Sequence, residues 1–329
     1  MILADFLPPH PDARWQYAAQ LGVQAAIVKL NPILTGQNPP WDYEVLASAQ
    51  KRFHEYGFSL AGLEGDQMPM DRIKLGLAGR DEDLEQYKKM VRNMGRLGIG
   101  LLCYNFMGGI GWFRTRTDLR ERGGALVSGF SQKEAQQASR TGFGEVDEAR
   151  MWENYRYFLE AILPVAEESG VRLALHPDDP PVSPLRGIGR ILTSAEAFRR
   201  VFSLSASPFH GMTFCQGSFR AMGEDLTSIV KEFGRAGRVF FLHFRDITGD
   251  REAFRETFHD NGPTDMAAMI RLYGELNLEV PIRIDHVPTL YGEENQEPGY
   301  GALGRLYAIG YLRGLAEAAG IPLAAISSQ

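Results

Sequence analysis

The stretch RLALHPDDPP (172–181) carries the pattern that decides the fold of this chain. A short apolar run is followed at once by histidine, proline and acidic residues, which end a strand. Seven further apolar runs of strand length are separated by longer stretches of mixed sequence: MILADF (1–6), QAAIVKL (24–30), FSLAGLE (58–64), IGLLCYNF (99–106), MTFCQG (212–217), VFFLHFRDI (239–247) and PIRIDHV (281–287). These runs are almost continuously apolar, which is typical of parallel strands buried on both faces.

Two of the intervening stretches, 82–97 and 151–169, have helical periodicity, with apolar residues three and four positions apart. The predicted buried faces are Leu84, Tyr87, Met90, Val91 and Met94 in the first stretch, and Tyr155, Phe158, Leu159 and Ile162 in the second. Pro164 predicts a bend or an end in the second helix, since proline lacks the amide hydrogen that a helix interior requires. Glycines that stand just before strands predict helix C-caps at Gly22, Gly57, Gly98 and Gly170.

Eight strand–helix units in series predict an α/β fold, a (β/α)8 TIM barrel, with residues 1–329 as a single domain. The alternative is an open, doubly wound sheet, but no GxGxxG motif follows the first strand. The stretch 107–150 is long, polar and contains four glycines: Gly108, Gly109, Gly123 and Gly124. Because long loops in compact domains commonly serve function, we expect this one to cross the barrel mouth.

The composition bears on whether the protein binds nucleic acid or membranes and on the compartment in which it works. The net charge is −6 and no basic cluster stands out, which argues against a nucleic-acid binder. We see neither a signal peptide nor an apolar run of membrane-spanning length, so the sequence predicts a soluble, cytoplasmic protein without a membrane partner. Two cysteines, Cys103 and Cys215, do not make a disulfide framework and suit a reducing compartment. We expect Cys103 to be a buried apolar thiol.

Four potential metal ligands stand near the ends of successive apolar runs: His176, Cys215, His243 and Asp285. In a barrel, the carboxyl ends of the strands meet at the face that carries the active site. A single histidine in an apolar run is most often a core residue, but four potential ligands at the same end favour a divalent cation. Thiolate and imidazole suit Zn²⁺ or Fe²⁺, whereas carboxylate and water suit Mn²⁺ or Mg²⁺, so the residues leave the metal open.

Five motifs resemble those of the mannonate dehydratase family of xylose-isomerase-like barrels: LALHPDDPP (173–181), TFCQGS (213–218), LHFRDI (242–247), IDH (284–286) and EPGYG (297–301). The resemblance extends over roughly residues 58–318. It implies a hydro-lyase of hexuronate catabolism that converts D-mannonate, a small sugar acid, to 2-keto-3-deoxy-D-gluconate. It also implies Mn²⁺ on the four ligands named above, and His286 and Tyr300 as the proton-transfer pair. Such a pair suits the chemistry, because loss of water needs a base at carbon 2 and an acid at the carbon 3 hydroxyl.

Further polar residues are candidates for substrate binding: Asn105, Arg114, Asp178 and Arg245. Each has an alternative interpretation as part of a solvated loop. Arg245 could instead pair with Asp246. Asp178 could orient His176, since metal-bound histidines commonly need such a partner.

Two departures from the family pattern lie in loops that we expect to contact the substrate, whereas the four metal ligands match the family. They therefore bear on the predicted substrate more than on the predicted metal site. Val287-Pro288 follows the Asp-His pair where the family has Gly-Arg, and Gly108–Gly111 replaces a more substituted loop. A sugar isomerase or epimerase of the same barrel class, acting on a related sugar or keto-sugar, is therefore the alternative function. A non-catalytic sugar-binding barrel is a third. Barrels of this kind commonly form homo-oligomers, and LGRLYAIGYLRGLAEAAGI (303–321) predicts an amphipathic helix for the core or an interface.

Overall fold

The computed structural model of the chain describes residues 1–31 and 39–324. Within them, eight parallel strands close into a barrel in the order β1-β2-β3-β4-β7-β8-β9-β12, and β12 returns to β1. Their bounds are Ile2–Phe6 (β1), Ala25–Val28 (β2), Ser59–Glu64 (β3), Leu101–Tyr104 (β4), Arg172–Leu175 (β7), His210–Cys215 (β8), Val239–Phe244 (β9) and Pro281–Ile284 (β12). Each strand coincides with one of the eight predicted runs, so the predicted TIM barrel is confirmed.

Eleven α-helices occur in the described ranges: Ala13–Gln20 (α1), Tyr43–Glu55 (α2), Asp71–Leu75 (α3), Arg80–Arg96 (α4), Gln132–Ala135 (α5), Glu148–Ser169 (α6), Ala195–Ser203 (α7), Gln216–Ala221 (α8), Leu226–Arg235 (α9), Met266–Glu275 (α10) and Ala302–Ala318 (α11). In these ranges no helix combines the length and the apolar character needed to cross a bilayer. Both helices predicted from periodicity are present as α4 and α6, with the expected apolar residues buried.

The glycines predicted as helix C-caps agree with the structure, whereas the helix end predicted at Pro164 does not. The four glycines predicted as C-caps all have positive φ, between 68° and 84°, which glycine adopts at little cost. The prediction of a helix end at Pro164 was wrong, because α6 continues to Ser169. Pro164 lies on the exposed side of α6, where water can satisfy the carbonyl that its missing amide hydrogen leaves free.

The barrel interior is filled by a small cluster of side chains of unequal size. Ala4, Ala25 and Ala174 leave room for the rings of Phe240 and Phe241. Gly211 in β8 is required for the same reason, since a Cβ there would lie 2.5 Å from the Phe240 ring. The lower part of the barrel is therefore a packed core, and polar side chains gather at the carboxyl ends of the strands.

A second sheet lies at those carboxyl ends and is called the accessory sheet below. Its four antiparallel strands have the order β10-β11-β6-β5: Ile247–Gly249 (β10), Ala253–Glu256 (β11), Leu126–Ser131 (β6) and Arg116–Arg120 (β5). Strands β5 and β6 come from the segment after β4, and β10 and β11 from the segment after β9. The stretch 107–150 is thus not one long loop but half of a sheet, paired with residues that follow more than 100 positions later.

Candidate metal centre and active site

The four predicted ligands converge at the carboxyl ends of four neighbouring barrel strands. His176 follows β7, Cys215 ends β8, His243 is the fifth residue of β9, and Asp285 follows β12 directly. One donor atom from each side chain lies within 4.8 Å of the others. Parallel strands in register place their last residues at one level, so the barrel itself brings these distant positions together.

The donor set fits a divalent cation. His243 is buried, and neither of its ring nitrogens has a hydrogen-bond partner among the described residues. Its Nδ1 lies 3.7 Å from Oδ2 of Asp285, and its Nε2 lies 3.5 Å from Oε1 of Glu64. At His176, Nδ1 lies 2.7 Å from the carbonyl oxygen of Pro177, which leaves Nε2 available. A bound cation would satisfy such a buried nitrogen, and an oxygen beside the other nitrogen is common around metal-bound histidines.

Two buried arginines contact the candidate ligands Asp285 and Cys215. Arg245 Nε lies 2.9 Å from Oδ2 of Asp285, and Arg283 lies 2.9 Å from Oδ1. Burial alone would raise the pKa of Asp285, but His286 and the two arginines hold it well below its usual range. Arg245 Nε also donates to Sγ of Cys215 at 3.3 Å. The protein thus surrounds the thiol and the carboxylate with donors before any cation binds.

His286 and Tyr300 form a pair beside these ligands. The Tyr300 hydroxyl lies 3.5 Å from Nε2 of His286, and the two rings are nearly perpendicular, at 82°. Burial, followed by the charge of Asp285, raises the pKa of Tyr300, so the phenol stays protonated at neutral pH. Gly299 holds the turn close, with φ at +88° and a donated amide of Val287 on its carbonyl. A Cβ at Gly299 would lie 3.1 Å from the His286 ring, so the turn needs glycine there.

One cavity of about 460 Å³, counted out to its mouth, is lined by His286, Tyr300 and three of the four predicted ligands, whereas Cys215 is buried behind its wall. Its lining consists of Glu64, Gly65, Cys103, Tyr104, Asn105, Met107, Trp112, His176, Asp179, His243, Asp285, His286 and Tyr300. The indole of Trp112 packs on the His286 ring with centroids 5.1 Å apart. Cys103 is buried as expected and its Sγ lies 3.1 Å from the Thr213 hydroxyl, although it also faces this cavity.

Asn105 is the one predicted substrate-binding residue that lines the cavity. Its amide is already held in place: Oδ1 accepts from Lys74 Nζ at 2.7 Å and from the Met107 amide at 3.1 Å. Its Nδ2 donates to Oδ1 of Asp66 at 3.3 Å. The buried Lys74 therefore fixes how Asn105 faces the cavity. A ligand could bond only to those hydrogen-bonding positions of the Asn105 amide that these contacts leave free.

The other three candidates for substrate binding lie behind the cavity wall. Asp178 is fully buried and accepts from Arg190 and from the Leu192 amide, at 3.0 and 2.8 Å. The partner of His176 Nδ1 is therefore the Pro177 carbonyl, not Asp178. Arg114 and Arg245 are also buried, and their guanidinium groups are occupied by carboxylates of the protein. Arg245 does not pair with Asp246, whose carboxylate accepts from Thr264 and Ile247.

Sequence reasoning missed several residues of the site. Asp179, adjacent to the predicted Asp178, lines the cavity and binds Arg114 through both carboxylate oxygens, at 2.6 and 2.9 Å. Glu256 in β11 lies 3.0 Å from Nδ1 of His286. Neither position has a distinguishing sequence signal, because one is part of an acidic pair and the other lies in a short strand outside the barrel.

Glu64 was also missed, although the strand-end rule applies to it as the last residue of β3. Glu64, Cys103 and His243 lie close enough together to hold an ion. However, Arg283 binds both carboxylate oxygens of Glu64. Burial would raise the pKa of Glu64, but Arg283 and then His243 lower it to about 2. The charge of Glu64 is thus already balanced without a second cation.

Comparison with known proteins agrees with this geometry. The family model of D-mannonate dehydratase (UxuA) matches residues 13–144 and 136–321 of the chain. The chain belongs to the D-mannonate dehydratase family. Mannonate dehydratase 2 of Halalkalibacterium halodurans is 31% identical, and the match covers 94% of this chain and 96% of that protein. Mannonate dehydratase of Thermotoga maritima is 33% identical, over 90% of this chain and 91% of that protein.

Solved structures place the fold in the same family. Mannonate dehydratase from Streptococcus suis serotype 2 superposes with a TM-score of 0.88 at 29% identity, over 100% of this chain and 99% of that chain. D-psicose 3-epimerase from Clostridium cellulolyticum H10 superposes with a TM-score of 0.63 at 11% identity, over 96% and 99% of the two chains. At that identity the likeness is one of fold alone, and it agrees with the closed eight-stranded barrel of this chain.

Proposed function

We propose that the protein dehydrates D-mannonate to 2-keto-3-deoxy-D-gluconate and water. One observation carries the proposal: in a chain of this family, His286 and Tyr300 face a cavity that is also lined by three of four clustered candidate ligands, and the fourth, Cys215, has its donor atom within 4.8 Å of theirs. The reaction removes a proton from carbon 2 and the hydroxyl from carbon 3, so a base and an acid must lie near neighbouring carbons. The 3.5 Å between His286 Nε2 and the Tyr300 hydroxyl suits that requirement.

We propose His176, Cys215, His243 and Asp285 as the ligands of the cation, with Mn²⁺ as the ion and Fe²⁺, Zn²⁺ and Mg²⁺ as alternatives. When bound, such an ion supplies Lewis acidity toward the substrate carboxylate, which makes the proton on carbon 2 easier to remove. One thiolate and one carboxylate would neutralise a bound divalent ion, and the neighbouring arginines help to keep the pKa of Asp285 well below its usual range.

His286 acts as the base and Tyr300 as the acid in this proposal. The raised pKa of the Tyr300 phenol means that it holds its proton at neutral pH and can give it to a departing hydroxyl group. The Nδ1 atom of His286 is engaged with Glu256 and Arg245, whereas Nε2 lies 3.5 Å from the Tyr300 hydroxyl, so Nε2 is the nitrogen placed to take a proton from the substrate. Trp112 covers the outer face of the imidazole and limits the access of water to it.

Product analysis tests the proposal. Protein stripped with a chelator and reloaded with each of the four ions is incubated with D-mannonate, and the expected product is a 2-keto-3-deoxy acid that forms only with an ion present. Deuterium entering unreacted sugar from heavy water without keto-acid would instead indicate an isomerase or epimerase. Tight sugar binding without turnover would indicate a binding protein.

The two cysteines provide a matched pair of variants for the metal assignment. Cys215→Ala removes a proposed ligand, whereas Cys103→Ala removes a buried thiol that bonds to Thr213. We expect bound metal to be lost from the first variant and retained by the second, measured by elemental analysis after dialysis. Equal metal content in the two proteins would contradict the ligand assignment.

We also propose that the protein is a cytoplasmic homo-oligomer. Both cysteines are free and buried, which suits a reducing compartment. Helix α11 buries one face and leaves Leu303 and Leu306 each 38% exposed, and the nearby Tyr291 is fully exposed. Apolar groups of this kind support an interface between copies, which sedimentation equilibrium would measure.

A further inference from the structure

A buried network of charges lies directly behind His286. Arg245 donates through NH1 to Oε1 of Glu256 at 2.5 Å and through NH2 to Oδ2 of Asp179 at 2.7 Å. Arg114 bridges the same two acids, with NH2 2.7 Å from Oε1 of Glu256. All four side chains are at most 3% exposed. Two cations and two anions balance one another, so the network holds its members in fixed positions.

His286 is attached to this network through one nitrogen. Its Nδ1 lies 3.0 Å from Oε1 of Glu256 and 3.0 Å from NH1 of Arg245. The other nitrogen, Nε2, lies 3.5 Å from the Tyr300 hydroxyl and 3.8 Å from Oδ1 of Asp285. The imidazole is thus held on one side by the accessory sheet, which contributes Glu256, and open to the cavity on the other.

The state of Glu256 restricts what Nδ1 can carry. Burial would raise the pKa of Glu256, but Arg245 and then His286 lower it to about 2, so the side chain is a carboxylate that only accepts hydrogen bonds. An unprotonated Nδ1 would direct its lone pair at that anionic oxygen at 3.0 Å, and the burial of both side chains leaves this repulsion poorly screened. Arg245 NH1 does not depend on the imidazole, because it already donates to Glu256 over the shorter distance.

We propose that Glu256 is a positioning residue for His286: its carboxylate accepts the Nδ1 hydrogen of the imidazole and leaves the Nε2 lone pair to face Tyr300 and the cavity. A hydrogen bond from one ring nitrogen fixes both the orientation and the tautomer of a histidine. This inference rests on the proposed function for the role of His286 as a base. It extends that function to the accessory sheet, whose residue in β11 prepares a group carried by the barrel.

The tautomer can be measured without substrate. Protein labelled with ¹⁵N-histidine and loaded with Zn²⁺, which is diamagnetic, is studied by long-range ¹H–¹⁵N correlation, and His286→Gln identifies the signals of His286. We expect the hydrogen on Nδ1 in the wild type, and a mixed or reversed tautomer in Glu256→Gln. A hydrogen on Nε2 in the wild type would mean that Arg245 donates to Nδ1, and would overturn the proposal. This arm stands even if D-mannonate is not the substrate.

Kinetics provide the second arm. Glu256→Gln is expected to lower kcat by about 10- to 100-fold, with KM within about twofold of wild type, because binding groups are unchanged while the base is misaligned. Glu256→Asp keeps the charge for both arginines but withdraws the carboxylate by one methylene group, so it should fold and show the same loss of kcat.

Glu121→Gln is the matched control, since Glu121 pairs with Arg255 beside the accessory sheet and is not in contact with His286. Unchanged kcat in both Glu256 variants would overturn the proposal.

Discussion

His210 gives this protein a defined sensitivity to acid. It begins β8, is fully buried, and its Nε2 lies 3.0 Å from the Tyr155 hydroxyl, while Nδ1 has no partner among the described residues. Burial, helped by the charge of Arg238, lowers the pKa of His210 to about 4. The folded state therefore excludes a proton that the unfolded chain takes up near pH 6.5.

The sign and size of the effect follow from these two pKa values. Above about pH 6.5 the imidazole is neutral in both states, so its full contribution to stability is present. As the pH falls from about 6.5 to about 4, only the unfolded state binds the proton, and unfolding becomes progressively more favourable. At 1.36 kcal/mol for each pH unit, the loss for His210 comes to about 3 kcal/mol.

The variant His210→Gln tests this value, since glutamine can bond to the Tyr155 hydroxyl but does not titrate. Urea unfolding is measured for wild type and variant at the same metal content, between about pH 7 and about pH 4. We expect the wild type to lose about 3 kcal/mol more than the variant over this range, whereas the exposed His54→Gln control loses as much as the wild type. Parallel losses in wild type and His210→Gln would refute the reasoning.

Three further outcomes are expected. Tyr300→Phe removes the proposed acid and should lower kcat by about 100-fold or more while the bound metal, measured by elemental analysis, stays at the wild-type level. Cys215→Ser should weaken the binding of Mn²⁺ by at least about tenfold in competition with a chelator, because a hydroxyl is not ionised as the thiol is. Gly217→Ala places a Cβ 2.8 Å from Nε of Arg245, whose ion pairs prevent it from moving; we expect about 1–3 kcal/mol of destabilisation in urea. Gly100→Ala, with open space around its Cβ, is the control and should be close to neutral.

The barrel and the clustering of the four candidate ligands could be predicted from the sequence for the same physical reason. Buried parallel strands are marked by apolar runs, and the place where each run stops is the place where side chains can reach the active-site face. His176, Cys215, His243 and Asp285 all stand at such places, and the structure brings them within 4.8 Å of one another. Glu64 is also the last residue of a barrel strand, so the same strand-end rule could have predicted it as part of the site.

What lies behind the ligands could not be predicted in this way. Asp178 and Asp179 are adjacent acidic residues, and nothing in the sequence distinguishes their partners. The path of the turn after β7 places Asp178 against Arg190 and Asp179 against Arg114. Glu256 reaches His286 because β11 pairs with β6, and the pairing of two short polar strands so far apart in sequence has no local signal. Side-chain partners of this kind depend on tertiary structure alone.

The accessory sheet divides the active site between two parts of the chain. The barrel strands and their exits carry the four candidate ligands and the two residues proposed to exchange protons, whereas the segments after β4 and β9 carry Arg114 and Glu256. Neither segment forms the sheet without the other, since β6 and β11 pair across it. A change in either segment therefore alters the surroundings of His286 and leaves the four candidate metal ligands untouched.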